Sequence, residues 1–190
     1  MTDINWGLTV GQESRKTWLA KHRSGFWERY CSGLGIDIGY AGYLDGVTPI
    51  LPHAIGVDLD YDGYDGVTLP FQSKTLDFVY SSHVLEHIDN RYSAIAEWYR
   101  VLKRGGNIVI VVPHRDLYEK RRRLPSKWNP DHKVFYTPAS LLREVESVLP
   151  VNSCRVRHMQ DNDRGHDYTQ SNEEHSLGEY EIELVLEKLR

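Results

Sequence analysis

With 190 residues and a formal net charge of −4, the chain is long enough for one domain with a buried core, and it lacks the basic field that holds nucleic acid. No apolar run approaches membrane-spanning length, and the first residues do not read as a signal peptide. Cys31 and Cys154 stand apart without paired zinc spacing, so a reduced, cytoplasmic setting is expected, with no nucleic-acid partner and no membrane span.

Residues 14–32 read as one amphipathic helix, in which Trp18, Leu19, His22, Phe26, Trp27 and Tyr30 recur at helical spacing despite Gly25 in the interior. Next come two short apolar runs, Gly35-Ile-Asp-Ile-Gly-Tyr-Ala-Gly-Tyr43 and Ile55-Gly-Val-Asp-Leu-Asp60. Both carry acids, and the first also ends in small residues. That pattern fits buried parallel strands presenting functional groups at their carboxyl ends. Pro49 and Pro52 curtail any helix between the two runs. Tyr61-Asp-Gly-Tyr-Asp-Gly66 is turn-rich and leads toward a short third strand.

Ile95, Trp98, Tyr99 and Leu102 form a helical stripe, with Lys103 and Arg104 in the last turn and Gly105-Gly106 just beyond, an arrangement that suits the dipole and the C-cap. Asn107–Val112 is a continuous apolar strand. Thr137-Pro138 starts a helix whose buried face is Leu141, Leu142, Val145, Val148 and Leu149. Strands around 153–159 and 180–187 close the chain. Alternating elements of these lengths predict a doubly wound α/β sheet with helices on both faces.

Ligands of such sheets bind beyond the carboxyl ends of the strands. A glycine-rich turn lets a ligand approach the backbone, and an acid at the tip of the next strand, here Asp58, can accept hydrogen bonds from ribose hydroxyls. A nucleoside-containing ligand is therefore expected. Asp37, placed before Gly39, would repel a pyrophosphate but suits a ligand carrying an ammonium and a sulfonium.

Five blocks in order over roughly residues 35–113 resemble the class I S-adenosylmethionine-dependent methyltransferases, in particular the small-molecule, methyltransferase-11-like branch. They are Ile36–Tyr43, Asp58, Asp65-Gly-Val-Thr-Leu-Pro-Phe71, Leu76–Ile88 and Val101–Pro113. Leu76–Ile88 is like the family's fourth strand and the helix after it, with His83 and His87 on that helix. The resemblance implies a Rossmann-like, seven-stranded, mostly parallel sheet with an antiparallel last strand inserted between strands five and six. It divides a single domain, 1–190, into an N-terminal helical cover or lid (1–33), a cofactor core (35–113), a substrate-side insert (114–136) and a C-terminal helix and strand pair (137–190).

The implied cofactor is S-adenosyl-L-methionine. By resemblance Asp37 would neutralise its ammonium, while the backbone of Gly39, Tyr40 and Ala41 packs against the amino-acid part. Asp58 would take the ribose, Leu59 would cover the adenine, and Asp65 and Gly66 would meet the adenine edge. Ser81 and Ser82 would border the sulfonium, with His87 in the cofactor shell or the packing around it. For Asp58 and Asp65, turn chemistry is the plain alternative. The first motif departs from its family at Ala41 and Tyr43, where glycines are usual; alanine serves when φ stays negative.

The acceptor side is less defined. An alcohol nucleophile needs a base, and the candidates are His114, just past the fifth-strand proline, and His132, oriented by Asp131 in a run that resembles the family's histidine-x-x-phenylalanine-x-threonine-proline. Either histidine could instead be structural. Arg115, Tyr118, Arg121, Arg122, Arg123 and Trp128 decorate the insert, either as a solvated face or as recognition of an anionic acceptor such as a phosphorylated or nucleotide sugar. Asp161–His166 and His175 offer metal ligands, but the acid expected after strand four is replaced by Ser81-Ser-His83, so no metal is expected. The resulting expectation is O-methylation of a sugar, nucleotide-sugar or glycan hydroxyl. N- or C-methylation of a small molecule and a non-catalytic cofactor-binding partner protein stay open.

Overall fold

Apolar residues on both faces of the central strands require cover on both sides of the sheet, and the fold supplies it. The computed structural model describes residues 4–190; residues 1–3 of the expected N-terminal cover lie outside the described residues. Six strands form one sheet: β1 (Gly35–Ile38), β2 (Ala54–Val57), β3 (Leu76–Ser82), β4 (Leu102–Pro113), β5 (Cys154–Asn162) and β6 (Glu181–Lys188), in the order β2-β1-β3-β4-β6-β5. The first four pair in parallel, and β6 runs antiparallel between β4 and β5, as the resemblance implies.

Alternation along the strands sorts the core into two layers. Ile36, Ile38, Val79, Ile108 and Ile110 face α3 (Arg91–Val101) and α4 (Pro138–Val148). Phe78, Tyr80, Val109 and Val111 face α1 (Gln12–Arg23) and α2 (Phe26–Tyr30), through Trp18, Phe26, Trp27 and Tyr30. Gly35 is required where β1 passes β3, because a Cβ there would stand 2.3 Å from the Phe78 ring.

Four local expectations are corrected. The helix over 14–32 is two helices, broken at Gly25, whose φ of +71° suits a residue without Cβ. The third strand is absent, which leaves six strands rather than seven. Its backbone groups are occupied by side chains: Asp65 Oδ1 accepts from the amides of Val67 (2.9 Å) and Thr68 (2.6 Å), Glu97 accepts from Leu69 N, and Arg100 donates to the carbonyls of Leu69 and Phe71. Pro70 has no amide to give.

The third correction is at the end of α3. Leu102 turns extended there and pairs with Leu76, so Lys103 and Arg104 fall beyond the helix and Lys103 bonds Asp77 at 2.8 Å. The dipole is met instead by buried Lys188, donating to the carbonyls of Tyr99 (2.7 Å) and Leu102 (2.8 Å). Fourth, the segment after β3 is a single 3-10 turn, Leu85–His87, and His83 precedes it with φ +56°. The start of α4 is as expected: Thr137 caps Ser140 N, Ser140 Oγ accepts from Thr137 N, and Pro138 holds the first position.

β6 alternates Ile182 and Leu184 on one face with Glu181 and Glu183 on the other, and all four are buried. Burial alone would raise the Glu183 carboxyl. Lys21 of α1, with His158 and Asn162, outweighs burial and holds it at about 2. Because this pKa lies below its ordinary value, the stabilisation is present above about pH 4.5 and is lost as pH falls through about 2. Glu183→Gln leaves Lys21 buried without its counter-charge and is expected to lower stability at pH 7 by about 3–5 kcal/mol. Urea unfolding of both proteins should show the difference shrinking on acidification.

Candidate active site

The loops beyond the carboxyl ends of β1, β2 and β3 surround a cavity of about 560 Å³. Gly39 makes the first turn with φ +70°; its amide donates to Val57 O at 2.8 Å, and a Cβ there would stand 2.3 Å from Val84. Ala41 also has positive φ, +63°, contrary to the expectation that alanine serves here because φ stays negative. That conformation costs about 1 kcal/mol, and Asp58 holds it: Asp58 Oδ2 accepts from Ala41 N at 3.0 Å while Oδ1 accepts from Leu59 N at 2.8 Å. The Leu59 side chain is 73% exposed on the cavity wall. Asp65 is solvent-exposed beside it, its carboxyl held low by the Thr68 and Val67 amides, and Gly66 follows with φ +90°. The turn chemistry of Asp65 is thus real, and it leaves the residue on the cavity.

A second cavity, about 280 Å³, adjoins at Gly39 and Ala41 and is walled by Asp37, Tyr40, Ser82 and the first turn of α1, Gln12 to Ser14. Asp37 is buried, and its Oδ2 accepts from Ile50 N at 2.7 Å. Burial pushes its carboxyl up to about 8; the Ile50 amide opposes this and Asp58 reinforces it. Ser81 is buried below Ser82 on β3.

A third cavity, about 480 Å³, lies toward the insert and is lined by polar and aromatic groups: Gln12, Glu13, Lys16, His87, Tyr118, Asn129, His132, His175 and Tyr180. His83 lines all three cavities, and His87 the first and third. His83 Nε2 meets Glu181 Oε1 at 3.0 Å. Burial opposes its protonation, but Glu181, Glu86 and Glu13 together raise its pKa.

His132 is buried, and its Nδ1 is held by Glu119, itself buried and accepting from Ser126 Oγ at 2.6 Å. The His132 ring sits 4.8 Å from that of His87. Asp131, expected to orient His132, is exposed and lies 3.6 Å from Lys133; Glu119, thirteen residues away in sequence, orients it instead. His114 stands outside these three cavities, its Nδ1 accepting from Asp116 N at 3.1 Å and its Nε2 3.9 Å from Asp161.

Of the remaining insert residues, Tyr118 lines the third cavity and Trp128 packs behind it on Leu117 and Tyr180. Arg115 is locked bidentately on Asp116, and Arg121, Arg122 and Arg123 are exposed, lining none of the three cavities. Glu86, Glu119, Glu181 and Tyr180 were missed as site residues. Glu86 adjoins His87 in sequence and could have been read; Glu119 has no local signal. Among the described residues, two His/Glu groups bring ligand atoms within 4.8 Å of one another, Glu86–His87–His132 and Glu13–His83–Glu181. Neither includes Asp161, His166 or His175.

The architecture is a doubly wound α/β sheet with a cleft beyond the tips of β1, β2 and β3, walled by Asp58 and Asp65. Residues 50–110 match the family described as a methyltransferase domain. An uncharacterized protein of Methanocaldococcus jannaschii is 40% identical over 88 residues, 44% of this chain; the match spans only 39% of that relative's length. Among solved structures, the protein crystallised with the Haloferax volcanii Trm112 methyltransferase activator superposes with a TM-score of 0.61 at 15% identity, covering 95% of this chain and 93% of the other. A SAM-dependent methyltransferase from Archaeoglobus fulgidus gives 0.54 at 19% identity, covering 90% and 93%. The chain thus carries a match to a methyltransferase domain over residues 50–110 and shares the fold of S-adenosylmethionine-dependent methyltransferases, and S-adenosylmethionine is the cofactor that this domain implies.

The elevated Asp37 pKa has a stability consequence with a definite sign. A carboxyl raised from 3.8 to about 8 contributes stability fully below about pH 4, which is lost as pH rises through about 8. Asp37→Asn, which keeps shape without ionising, should therefore be more stable than the wild type above pH 8. Thermal unfolding between pH 5 and 9 should show wild-type stability falling relative to the variant.

Proposed function

We propose that the chain transfers the methyl group of S-adenosylmethionine to a hydroxyl of a small polar acceptor, a sugar or sugar derivative, held in the third cavity. The observation that carries this reading is the meeting of the three cavities at His83. Adenosine fits the first cavity, with Asp58 on the ribose, Leu59 on the adenine face, and Asp65 and Gly66 at its edge. The methionine end fits the second, its ammonium toward Asp37 and its chain along Gly39, Tyr40, Ala41 and Ser82. A donor laid across both presents its methyl at His83, toward the third.

The third cavity has the lining a sugar ring needs. Tyr118 and Tyr180 offer flat apolar surface, and Gln12, Glu13 and Asn129 offer hydrogen bonds. The acceptor oxygen attacks the methyl carbon in line, the S–CH₃ bond breaks, and its electron pair stays on sulfur. Positioning supplies much of the rate. The hydroxyl proton is given up at the His87–His132 pair, where Glu119 fixes the His132 ring with Nε2 as the nitrogen left for chemistry. Exposed Arg121, Arg122 and Arg123 reach only a part of the acceptor outside the cavity. One observation favours a second reading: Glu13 on the wall, with Glu86 and Glu181 behind it, would also attract an amine acceptor.

Asp58→Ala removes both the cofactor contact and the support of Ala41. Affinity for S-adenosylmethionine and for its demethylated product should drop at least about tenfold, as loss of a charged hydrogen bond worth roughly 1.5–3 kcal/mol requires. Calorimetry checks it, and unchanged affinity in a folded variant rejects the ribose assignment.

With a labelled cofactor and a hydroxyl acceptor, His132→Ala should lower turnover by about 10²-fold or more while cofactor affinity holds. His114→Ala, outside the cavities, should stay near the wild-type rate. If His132→Ala keeps native turnover and the rate follows deprotonation of an amine substrate, the amine reading replaces this one.

A further inference from the structure

A base composed only of His132 and Glu119 leaves Glu86 without a purpose. Glu86 is 1% exposed, and neither of its side-chain oxygens has a hydrogen-bond partner among the described residues. The imidazoles beside it stand off, with His83 Nδ1 at 3.7 Å and His87 Nε2 at 3.8 Å from Oε1, both too far for hydrogen bonds. Protonation does not remove the difficulty, because a buried carboxylic acid still has a donor to satisfy. Two unpartnered oxygens on a buried carboxyl, beside imidazoles held just beyond bonding distance, are what a ligand set looks like around the place of its cation.

We propose that Glu86, His87 and His132 form a binding site for one borderline divalent cation of the zinc, cobalt or manganese kind, with its open positions facing the third cavity. Ligand atoms of the three residues lie within 4.8 Å of one another. Two ligands at about 2.1 Å from one tetrahedral or octahedral ion stand roughly 3.0–3.4 Å apart, a few tenths of an ångström inside the 3.8 Å between Glu86 and His87. Two imidazoles with one carboxylate select borderline ions over magnesium or calcium, which take oxygen ligands.

The second independent feature is the support of His132. Metal-binding histidines donate their other ring N–H to a carboxylate or carbonyl, which fixes the tautomer and the aim of the ligating nitrogen. Glu119 does this at Nδ1 and is itself held by Ser126 Oγ. Three protein ligands with open positions are the pattern of a catalytic rather than a structural ion.

Use of the ion in catalysis rests on the hydroxyl-acceptor reading above. A hydroxyl bound to it loses its proton more readily, the proton passes to water, and the metal-bound oxygen then attacks the methyl carbon. With the ion bound, His87 and His132 are its ligands in place of the direct proton-accepting role given to the pair above, and the cost of deprotonation is met by the ion.

The test uses the full chain stripped with a chelator and titrated with Co²⁺, followed by visible absorbance and calorimetry, with circular dichroism and thermal unfolding as the measure of folding. One Co²⁺ per chain is expected at micromolar or lower concentration. Glu86→Gln and His87→Ala should each weaken it by at least about 100-fold, and Glu119→Gln by about 10–100-fold. Should Glu86→Gln fail to fold, His87→Ala, at a half-exposed position, carries the same test. Absence of stoichiometric Co²⁺ binding, or equal affinity in Glu86→Gln and His87→Ala, overturns the site. Labelled methyl transfer separates the two ideas: native-rate hydroxyl methylation by stripped protein overturns the ion's part in catalysis and leaves the acceptor reading standing. A bound ion sensitive to these substitutions, in a protein that methylates only amines, supports the site and rejects the hydroxyl reading.

Discussion

The structure depends on holding several carboxylates out of water at one end of one sheet. Asp37, Glu86, Glu119, Glu181 and Glu183 are all buried, and all lie on or beside the strand tips that form the cavities. Desolvation of even one such charge is costly, and each must find a compensating group or stay neutral. The chain meets this differently at each position. Glu183 takes the Lys21 ammonium, Glu181 the His83 ring, Glu119 the His132 ring and a hydroxyl, and Asp37 a backbone amide together with a raised pKa. Glu86 takes nothing within hydrogen-bonding distance. In that series Glu86 alone has both carboxylate oxygens unpartnered among the described residues, which is the observation behind the proposed cation site.

Those pairings also explain why the helices stand where they do. Lys21 fixes the second half of α1 to β6, and Glu13 and Lys16 at its other end share a network with Tyr180: Lys16 donates to Tyr180 Oη at 2.6 Å, and Tyr180 donates to Glu13 at 2.9 Å. Covering the core and walling the site are thus one role for α1. Trp18 closes the core from the middle of the helix while Gln12 and Glu13 line both the second and third cavities.

What was legible in the sequence followed from local chemistry. The order β1, β2, β3, β4 could be read because each strand is a short apolar run ending in a residue with a task, and the Thr137–Pro138 start because capping needs only neighbours. Elements decided by distant side chains could not be read. The third strand was lost because Asp65, Glu97 and Arg100 claim its amides and carbonyls, and the end of α3 was misplaced because Lys188, far along the chain, supplies the cation that Lys103 and Arg104 seemed to provide. The site divides the same way. Asp37, Asp58 and Asp65 sit at strand or turn ends and could be placed from pattern, whereas Glu119 reaches His132 only because the insert folds back on itself through the turn at Arg115–Glu119 and the Ser126 hydroxyl. Asp131 was the natural guess for a neighbour and points to solvent.

On the proposed reading, the division of labour between a cofactor end and an acceptor end of the cleft bears on what evolution can vary. The cofactor side is built from backbone turns, with Ala41 accepting a left-handed conformation so that its amide can reach Asp58. Exchange of a side chain there disturbs the turn as well as the contact. The acceptor side is built from side chains on four separate segments: α1, the loop after β3, the insert, and the approach to β6. Tyr118, Asn129 and His175 can each change without moving a strand, so acceptor preference can shift while the cofactor cleft stays fixed. His83 is the exception. It borders all three of the cavities described above, carries positive φ, and is tied to Glu181 at the start of β6, so the point where donor and acceptor would meet is anchored to the sheet. Variation of the acceptor pocket then proceeds around a fixed position of methyl transfer, which is the condition for one scaffold to serve many acceptors.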